Sequence, residues 1–148
     1  MTEAQVLTAL RESIVNEARE WIGTPYIHQQ SLKGVGTDCV GLVRGLWRAC
    51  IGPEPEKAPA YPSRVDLLEN PLLEGYMNRH MIATDEERLG DVVVLRMKRG
   101  QHAHHCAINV GDGMYVQAWG GSMRNPVVYG NLRPVWEKQS VFSFPGAS

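Results

Sequence analysis

The hydrophobic pattern changes along the chain, and this change constrains the fold more than any other feature of the sequence. Near the N-terminus apolar residues recur at spacings of three and four, as in Leu10, Ile14, Ala18 and Trp21, which predicts a helix with one buried face. After residue 88 the apolar residues form short β-branched or aromatic runs between turn residues, which is typical of strands. Helices first and a mostly antiparallel sheet afterwards predict an α+β fold.

Two helices are predicted in the first third of the chain. Thr2 followed by Gln5 matches a capping box, and the first helix should run over about residues 3–21. A loop leads to a second helix, Cys39–Cys50, which is capped by a residue of Thr37-Asp38 and stopped by the glycine and proline that follow it.

The segment 52–88 is rich in proline and is expected to be an ordered excursion between the second helix and the sheet, since it also carries leucines that can be buried. Short helices are possible over 65–68 and 72–79. Beyond the excursion, Gly111-Asp112-Gly113 predicts a tight hairpin. The strands expected are 92–95, 105–110, 114–119, 127–129 and 141–144. With 148 residues, 43% of them hydrophobic, the whole chain 1–148 fits a single domain.

Charge and hydropathy argue against several partners. The chain has 15 Lys and Arg against 16 Asp and Glu, scattered along its length, so nucleic acid is not an expected partner. No stretch approaches the ~20 apolar residues of a membrane span, so no membrane insertion is expected. Charges at Glu3, Arg11 and Glu12 interrupt the N-terminal segment, which therefore lacks the apolar run of a secretory signal. By its own signals the protein should stay in the cytoplasm, where it is made.

Cys39 is the candidate nucleophile because it falls in the first turn of the predicted second helix. The unpaired N–H groups there and the positive end of the helix dipole stabilise a thiolate, which is the form that attacks carbonyls. Gly41 is expected to leave room for a substrate backbone. The alternative is that Cys39 is a small buried apolar residue. A disulfide framework is not expected, since the chain has three cysteines and Cys39 and Cys50 lie too far apart on one helix to bridge.

His105 is the candidate base. Strand alternation places His105, Ala107 and Asn109 on one face, and a hairpin centred on Asp112 puts Gln117 opposite Ala107 and diagonal to His105. The histidine can then take the thiol proton while the glutamine oxygen accepts the imidazole N–H and fixes its tautomer. The alternative is a pair of polar residues on a solvent-facing strand.

Other side chains have weaker signals. His102, His104 and Cys106 fall at alternate strand positions and could offer zinc ligands on one face, but no fourth ligand or glutamate base is suggested at a typical spacing, so neither a metal nor another cofactor is expected. Tyr26 could donate its hydroxyl to a tetrahedral oxyanion or serve as packing. Trp119 and Trp136 could line a groove, although core filling is the expected role of both.

Five segments together resemble the NlpC/P60 family of papain-like cell-wall peptidases. In the family's order they are Trp21-Ile22-Gly23-Thr24-Pro25-Tyr26, Thr37-Asp38-Cys39-Val40-Gly41-Leu42-Val43, Leu89-Gly90-Asp91-Val92-Val93, His105-Cys106-Ala107-Ile108-Asn109-Val110-Gly111-Asp112-Gly113 and Val116-Gln117-Ala118. The resemblance implies a papain-like fold with N-terminal helices packed on the sheet. It also implies that Cys39 is the nucleophile, His105 the base and Gln117 the third polar residue.

By the same resemblance, Tyr26, Asp38 and Val40 are expected to contact substrate or contribute to the oxyanion hole, part of which would come from backbone N–H groups at the helix start. The chain departs from the family pattern at two positions. Gln117 stands where histidine is commoner, and Val40 follows the nucleophile where serine is common. Glutamine can orient the imidazole but cannot share its charge.

The resemblance further implies an activity and a setting. Family members typically hydrolyse the D-γ-glutamyl to diaminopimelate (or lysine) bond of peptidoglycan stem peptides through a thioester. Residues 119–145 resemble the compact branch of the family carried in tails of phages and gene transfer agents. We therefore expect a peptidase docked to tail-tip or baseplate proteins that opens peptidoglycan in the periplasm of a target cell during DNA delivery. The alternatives are an inactive structural tail-tip module of the same fold, a muropeptide-recycling enzyme and a zinc hydrolase.

Overall fold

The helices begin and end close to the predicted residues. In the computed structural model, which describes residues 1–61, 72–96, 103–119 and 126–148, α1 spans Glu3–Glu20 and α2 spans Cys39–Cys50. The capping box at α1 is confirmed, since the Gln5 backbone N–H donates to Thr2 Oγ1 at 3.1 Å and the Thr2 N–H donates to Gln5 Oε1 at 2.8 Å. Helix α3, Leu72–His80, matches the helix expected at 72–79. The helix expected at 65–68 lies outside the described residues.

Within the described residues, the strands form two antiparallel sheets. The larger sheet has six strands in the order β3-β8-β4-β5-β6-β7, and every pairing in it is antiparallel. Its strands are β3 (Ile82–Ala83), β4 (Val92–Arg96), β5 (His105–Gly111), β6 (Met114–Gln117), β7 (Val128–Gly130) and β8 (Glu137–Ser143). The smaller sheet pairs β1 (Ser31–Leu32) with β2 (Gly36–Thr37), where the sequence predicted only a loop. The α+β class is confirmed.

The β5–β6 hairpin has the register that was predicted from its turn. Ile108 pairs with Val116, so the next pair in the same register sets Ala107 against Gln117. Asp112 and the glycines on either side of it all have positive φ angles, of 58°, 93° and 72°, which suits a tight turn with glycine at its ends. The turn therefore determines which face of the sheet carries Gln117.

The sheet separates two hydrophobic clusters. The larger one lies between the helices and one sheet face and includes Ile14, Leu46, Val94, Cys106 and Ile108. The smaller one, on the other face, has four buried members and the partly buried Leu132, Trp136 and Val141 packed against them. The buried four are Val93, Leu95, Ala107 and Tyr115. Cys106 thus faces the helices, while Ala107, the next residue, faces away from them, as strand alternation predicts.

Arg11 joins α1 to the sheet and to the C-terminal segment. Its Nη1 donates to Asp91 Oδ1 at 2.8 Å and to the Leu89 carbonyl at 2.7 Å. Its Nη2 donates to Ser143 Oγ at 3.2 Å and also to the Ala147 carbonyl. Asp91 is fully buried and the Arg11 side chain is 11% exposed, so this ion pair holds α1 against the start of β4 with little contact with solvent.

Candidate active site

Cys39 is the first residue of α2 and is oriented by the side chain before it. Asp38 is the N-cap, and its Oδ1 accepts a hydrogen bond from the Gly41 N–H at 2.7 Å. Of the two capping candidates, the structure therefore selects Asp38. The Thr37 hydroxyl donates instead to the Asp38 carbonyl at 2.9 Å. Cys39 is 9% exposed, so its thiol lies at the base of the site.

His105 and Gln117 are in direct contact. His105 Nε2 lies 2.8 Å from Gln117 Oε1, and the two residues are only 1% and 5% exposed. Because a glutamine oxygen can only accept, this contact places the imidazole proton on Nε2 and leaves Nδ1 to receive a proton from another group. The structure thus brings together the predicted base and its predicted partner.

The pKa of Cys39 is held well below the ordinary value of a thiol. A hydrogen bond from the Cys106 side chain is the largest cause, burial opposes it, and a hydrogen bond and the positive charge of His105 lower the pKa further. His105 thus stabilises the thiolate of Cys39, which is what a histidine base must do for a cysteine nucleophile. The contact between His105 and Gln117 is as the sequence predicted, and the catalytic roles of Cys39, His105 and Gln117 stay predictions.

Asp38 organises the site from its buried position. Its Oδ2 accepts hydrogen bonds from the Gln29 N–H at 2.8 Å and from the Tyr61 hydroxyl. Burial, followed by the charge of Cys39, raises the pKa of the Asp38 carboxyl. Both oxygens are thus used by groups of the chain itself, which fixes the loop before α2. A substrate contact through Asp38 stays a prediction.

Tyr26 and Val40 are both half-buried and pack against the hydrophobic cluster that contains Cys39. Burial is the largest cause that raises the pKa of Tyr26, and the charges of Cys39 and Asp38 raise it further. The phenol therefore keeps its proton and remains a hydrogen-bond donor at neutral pH, which its predicted oxyanion contact needs.

The interpretation of Gly41 as space for a substrate was wrong. A Cβ at this position would lie 2.0 Å from the Gln30 carbonyl oxygen and 2.6 Å from Thr37 Oγ1. The loop of the same chain fills the space, so glycine is required by internal packing between that loop and the first turn of α2.

Sequence reasoning anticipated only part of what surrounds the pair. Trp119 and Trp136 are half-buried, and their rings lie 5.3 and 5.2 Å from the His105 ring, so they enclose the imidazole as well as filling space. Tyr61 reaches Asp38 from the proline-rich segment, which no local pattern indicates. Cys106 was considered only as a zinc ligand, although strand alternation already placed it on the face opposite to that of His105.

No metal site is evident in the part of the chain that the structure describes. Within residues 1–61, 72–96, 103–119 and 126–148, no group of three or more His, Cys, Asp or Glu residues could hold a metal ion. His102, one of the three considered as ligands, lies outside these ranges. Among the same residues, no helix has the length and apolar character needed to cross a membrane.

The fold and the site together define an α+β protein in which a thiol at a helix start lies beside a strand that carries a buried imidazole. Residues 23–142 match the family model described as NlpC/P60 family. The chain therefore belongs to the NlpC/P60 family. No curated protein matches it at a significant level.

Several solved structures share the fold. The NlpC/p60 domain of the peptidoglycan hydrolase SagA is 20% identical with a TM-score of 0.56, and the match covers 90% of this chain and 98% of that domain. An NlpC/P60 family protein from Bacillus cereus ATCC 10987 is 20% identical with a TM-score of 0.66, and NlpC2 from Trichomonas vaginalis is 17% identical with a TM-score of 0.65. These matches cover 90% and 91% of this chain but only 40% and 46% of the other two.

Proposed function

We propose that this protein is a cysteine peptidase that hydrolyses peptidoglycan stem peptides. The observation that carries the proposal is the arrangement of Cys39 at the start of α2, where His105 helps to lower the pKa of its thiol, together with His105 Nε2 at 2.8 Å from Gln117 Oε1. Membership of the NlpC/P60 family and the likeness to the SagA domain, a peptidoglycan hydrolase, support the choice of substrate.

The proposed reaction is acyl transfer through a thioester. His105 takes the proton of Cys39, and the thiolate attacks the carbonyl carbon of the scissile amide. Collapse of the tetrahedral intermediate breaks the C–N bond, and the imidazolium returns the proton to the leaving amine. Water, deprotonated by His105, then attacks the thioester, which releases the carboxylic acid and restores the thiol.

The oxyanion would be held by donors at the start of α2. In the first turn, the Gly41 N–H bonds to the Asp38 side chain and the Leu42 N–H bonds to the Asp38 carbonyl. The N–H groups of Cys39 and Val40 precede these two and are the proposed backbone donors, with the protonated Tyr26 hydroxyl as a third.

The bond cleaved and the setting are finer parts of the same proposal. We assign the D-γ-glutamyl to diaminopimelate bond, and a place in a phage-like tail next to tail-tip or baseplate proteins. The resemblance of residues 119–145 to the compact tail-associated branch supports the setting. Mass spectrometry of particles purified from the producing strain checks it, since a tail component should be recovered with the particles and with no other fraction.

Digestion of purified sacculi tests the activity. The unmodified protein and a Cys50→Ala control should release stem-peptide fragments with a new amino terminus on diaminopimelate, while Cys39→Ala should release none. Equal release by the Cys39→Ala variant would exclude the thiol mechanism. Inhibition by a chelator but not by an alkylating agent would favour the zinc alternative.

The inactive structural module remains the second candidate because the pair is deeply placed, with Cys39 at 9% and His105 at 1% exposure. If sacculi and soluble stem peptides both remain intact with all variants, the structural module is the better account. Cleavage of soluble muropeptides alone would instead favour a recycling enzyme.

A further inference from the structure

The thiol of Cys106 lies against the first residue of α2. Cys106 Sγ is 3.5 Å from the Cys39 carbonyl oxygen, and Cys39 Sγ is 3.9 Å from the His104 carbonyl oxygen. The Cys106 thiol therefore donates to the backbone of α2, and the Cys39 thiol donates to the residue that directly precedes β5. Cys106 is 1% exposed and belongs to the cluster between the helices and the sheet, so the contact is dry.

Ionisation of Cys39 changes this pair of contacts. A thiolate has no proton to donate to the His104 carbonyl, and it becomes a strong acceptor. Cys106, whose Sγ already lies 3.5 Å from the Cys39 carbonyl oxygen, is then the neighbouring thiol that can direct its hydrogen to the Cys39 sulfur. Burial and the thiol–thiol hydrogen bond together raise the pKa of Cys106 well above its ordinary value, with the hydrogen bond to Cys39 as the larger cause, so Cys106 keeps the proton that it would donate.

Among the described residues, the other titratable groups that face Cys39 come from four parts of the chain. Asp38 precedes it on the cap, Tyr26 lies in the loop after α1, Tyr61 lies in the proline-rich segment, and His105 begins β5. A carboxylate beside the sulfur disfavours the thiolate, whereas the imidazolium and a thiol donor favour it. Gln117 is uncharged and cannot stabilise the imidazolium by its charge. The hydrogen bond from the Cys106 thiol should therefore contribute more to the stability of the Cys39 thiolate here than in a site whose third residue is charged.

We propose that Cys106 is a positioning residue of this site, whose thiol donates a hydrogen bond to the Cys39 thiolate and so keeps the nucleophile ionised and aimed. The inference rests on the proposed function for its catalytic meaning. The hydrogen bond from Cys106 to Cys39 does not depend on peptidase activity, since it requires only that Cys39 ionises to a thiolate.

The rate of alkylation of Cys39 by iodoacetamide, measured against pH, tests the proposal. All proteins carry Cys50→Ala, and peptide mapping assigns the label to Cys39. Cys106→Val keeps a similar volume but has no donor, whereas Cys106→Ser keeps a donor. The pH at which the alkylation rate is half of its maximum, the midpoint, reports the pKa of Cys39. We expect Cys106→Val to raise this midpoint by about one pKa unit, so that alkylation well below the midpoint is about tenfold slower. Cys106→Ser should have a midpoint near that of the parent.

Equal midpoints for the parent and Cys106→Val would overturn the proposal, as would equal shifts in the serine and valine variants. Circular dichroism checks that each variant is folded, and Cys106→Ala replaces the valine variant if that one is not. The readout needs no peptidase activity. If Cys106→Val shifts the midpoint but the parent protein leaves sacculi intact, the proposed function is rejected and the hydrogen bond is supported. If the parent hydrolyses sacculi but Cys106→Val does not shift the midpoint, the proposed function is supported and the hydrogen bond is rejected.

Discussion

In the proposed reaction, Gln117 would act through His105, since its oxygen fixes the proton on Nε2 and the direction of the ring. It is uncharged, so it orients the imidazolium without neutralising it. The consequence is that the position should tolerate any side chain that accepts a hydrogen bond from Nε2, including the histidine that is commoner there in the family.

For Gln117→Ala we expect kcat on a soluble stem peptide to fall by about 10- to 100-fold with KM little changed, because the positioned base is lost while the binding groups stay. Gln117→His should retain most of the parent kcat. Steady-state kinetics of both variants provide the comparison. If alanine and histidine lose kcat equally, orientation of His105 by this residue is not what the reaction depends on.

The parts of the site that the sequence could predict are those whose residues are placed by local sequence signals. Three local signals, a helix cap, strand alternation and a tight turn, predicted where the main residues of the site lie. These residues are Asp38, Cys39, His105 and Gln117. Enclosure of His105 by Trp136 depends on how β8 and the segment before it approach β5, and no local pattern encodes that approach. Arg11 was considered only as a charge that interrupts an apolar segment, because its partner Asp91 lies 80 residues away.

At the scale of elements, α2 matched its prediction because its start and stop are local signals, the Asp38 cap and the glycine and proline after Ile51. Strands β1, β2 and β3 were missed, since each is two residues long and too short to show alternation. Their pairing is set by the elements around them. The hairpin of β1 and β2 nevertheless matters for the site, because it holds the loop that leads to Asp38.

The packing of α1 on α2 depends on Gly45. A Cβ there would lie 2.1 Å from Trp21 Cζ2, and Trp21 is 2% exposed, so its ring has little room to move. We expect Gly45→Ala to lower the free energy of unfolding by about 2 kcal/mol, since overpacking outweighs the gain in helix propensity.

Gly75→Ala in α3 is the matched control for this substitution. The nearest atom to its Cβ would be Arg79 Nη1 at 3.3 Å, the end of a flexible side chain. Helix propensity should therefore dominate, and the variant should gain up to about 1 kcal/mol. Urea denaturation compares the two variants. A Gly45→Ala protein as stable as Gly75→Ala would mean that α1 and α2 can separate without loss.

At the scale of the whole molecule, Glu87 ties three strands together on the side of the sheet away from the helices. Its carboxylate accepts hydrogen bonds from Lys138 Nζ at 2.7 Å on β8, from Asn109 Nδ2 at 2.5 Å on β5 and from the Tyr115 hydroxyl on β6. Burial opposes ionisation of Glu87, but these hydrogen bonds and the charge of Lys138 outweigh it and lower its pKa. The folded state therefore favours the ionised carboxylate more than the unfolded chain does.

The direction of this shift determines how stability depends on pH. Because the folded pKa lies below the unfolded value of about 4.3, the stabilisation is fully present above that value and is lost as the pH falls through the folded pKa. Glu87→Gln should therefore lower the free energy of unfolding by about 1 kcal/mol at neutral pH, the upper end for a solvent-screened network, and the difference from the parent should shrink below about pH 4. Denaturation at a series of pH values measures this difference. A gap between the two proteins that persists unchanged into acid would show that the carboxylate charge is not what joins the strands.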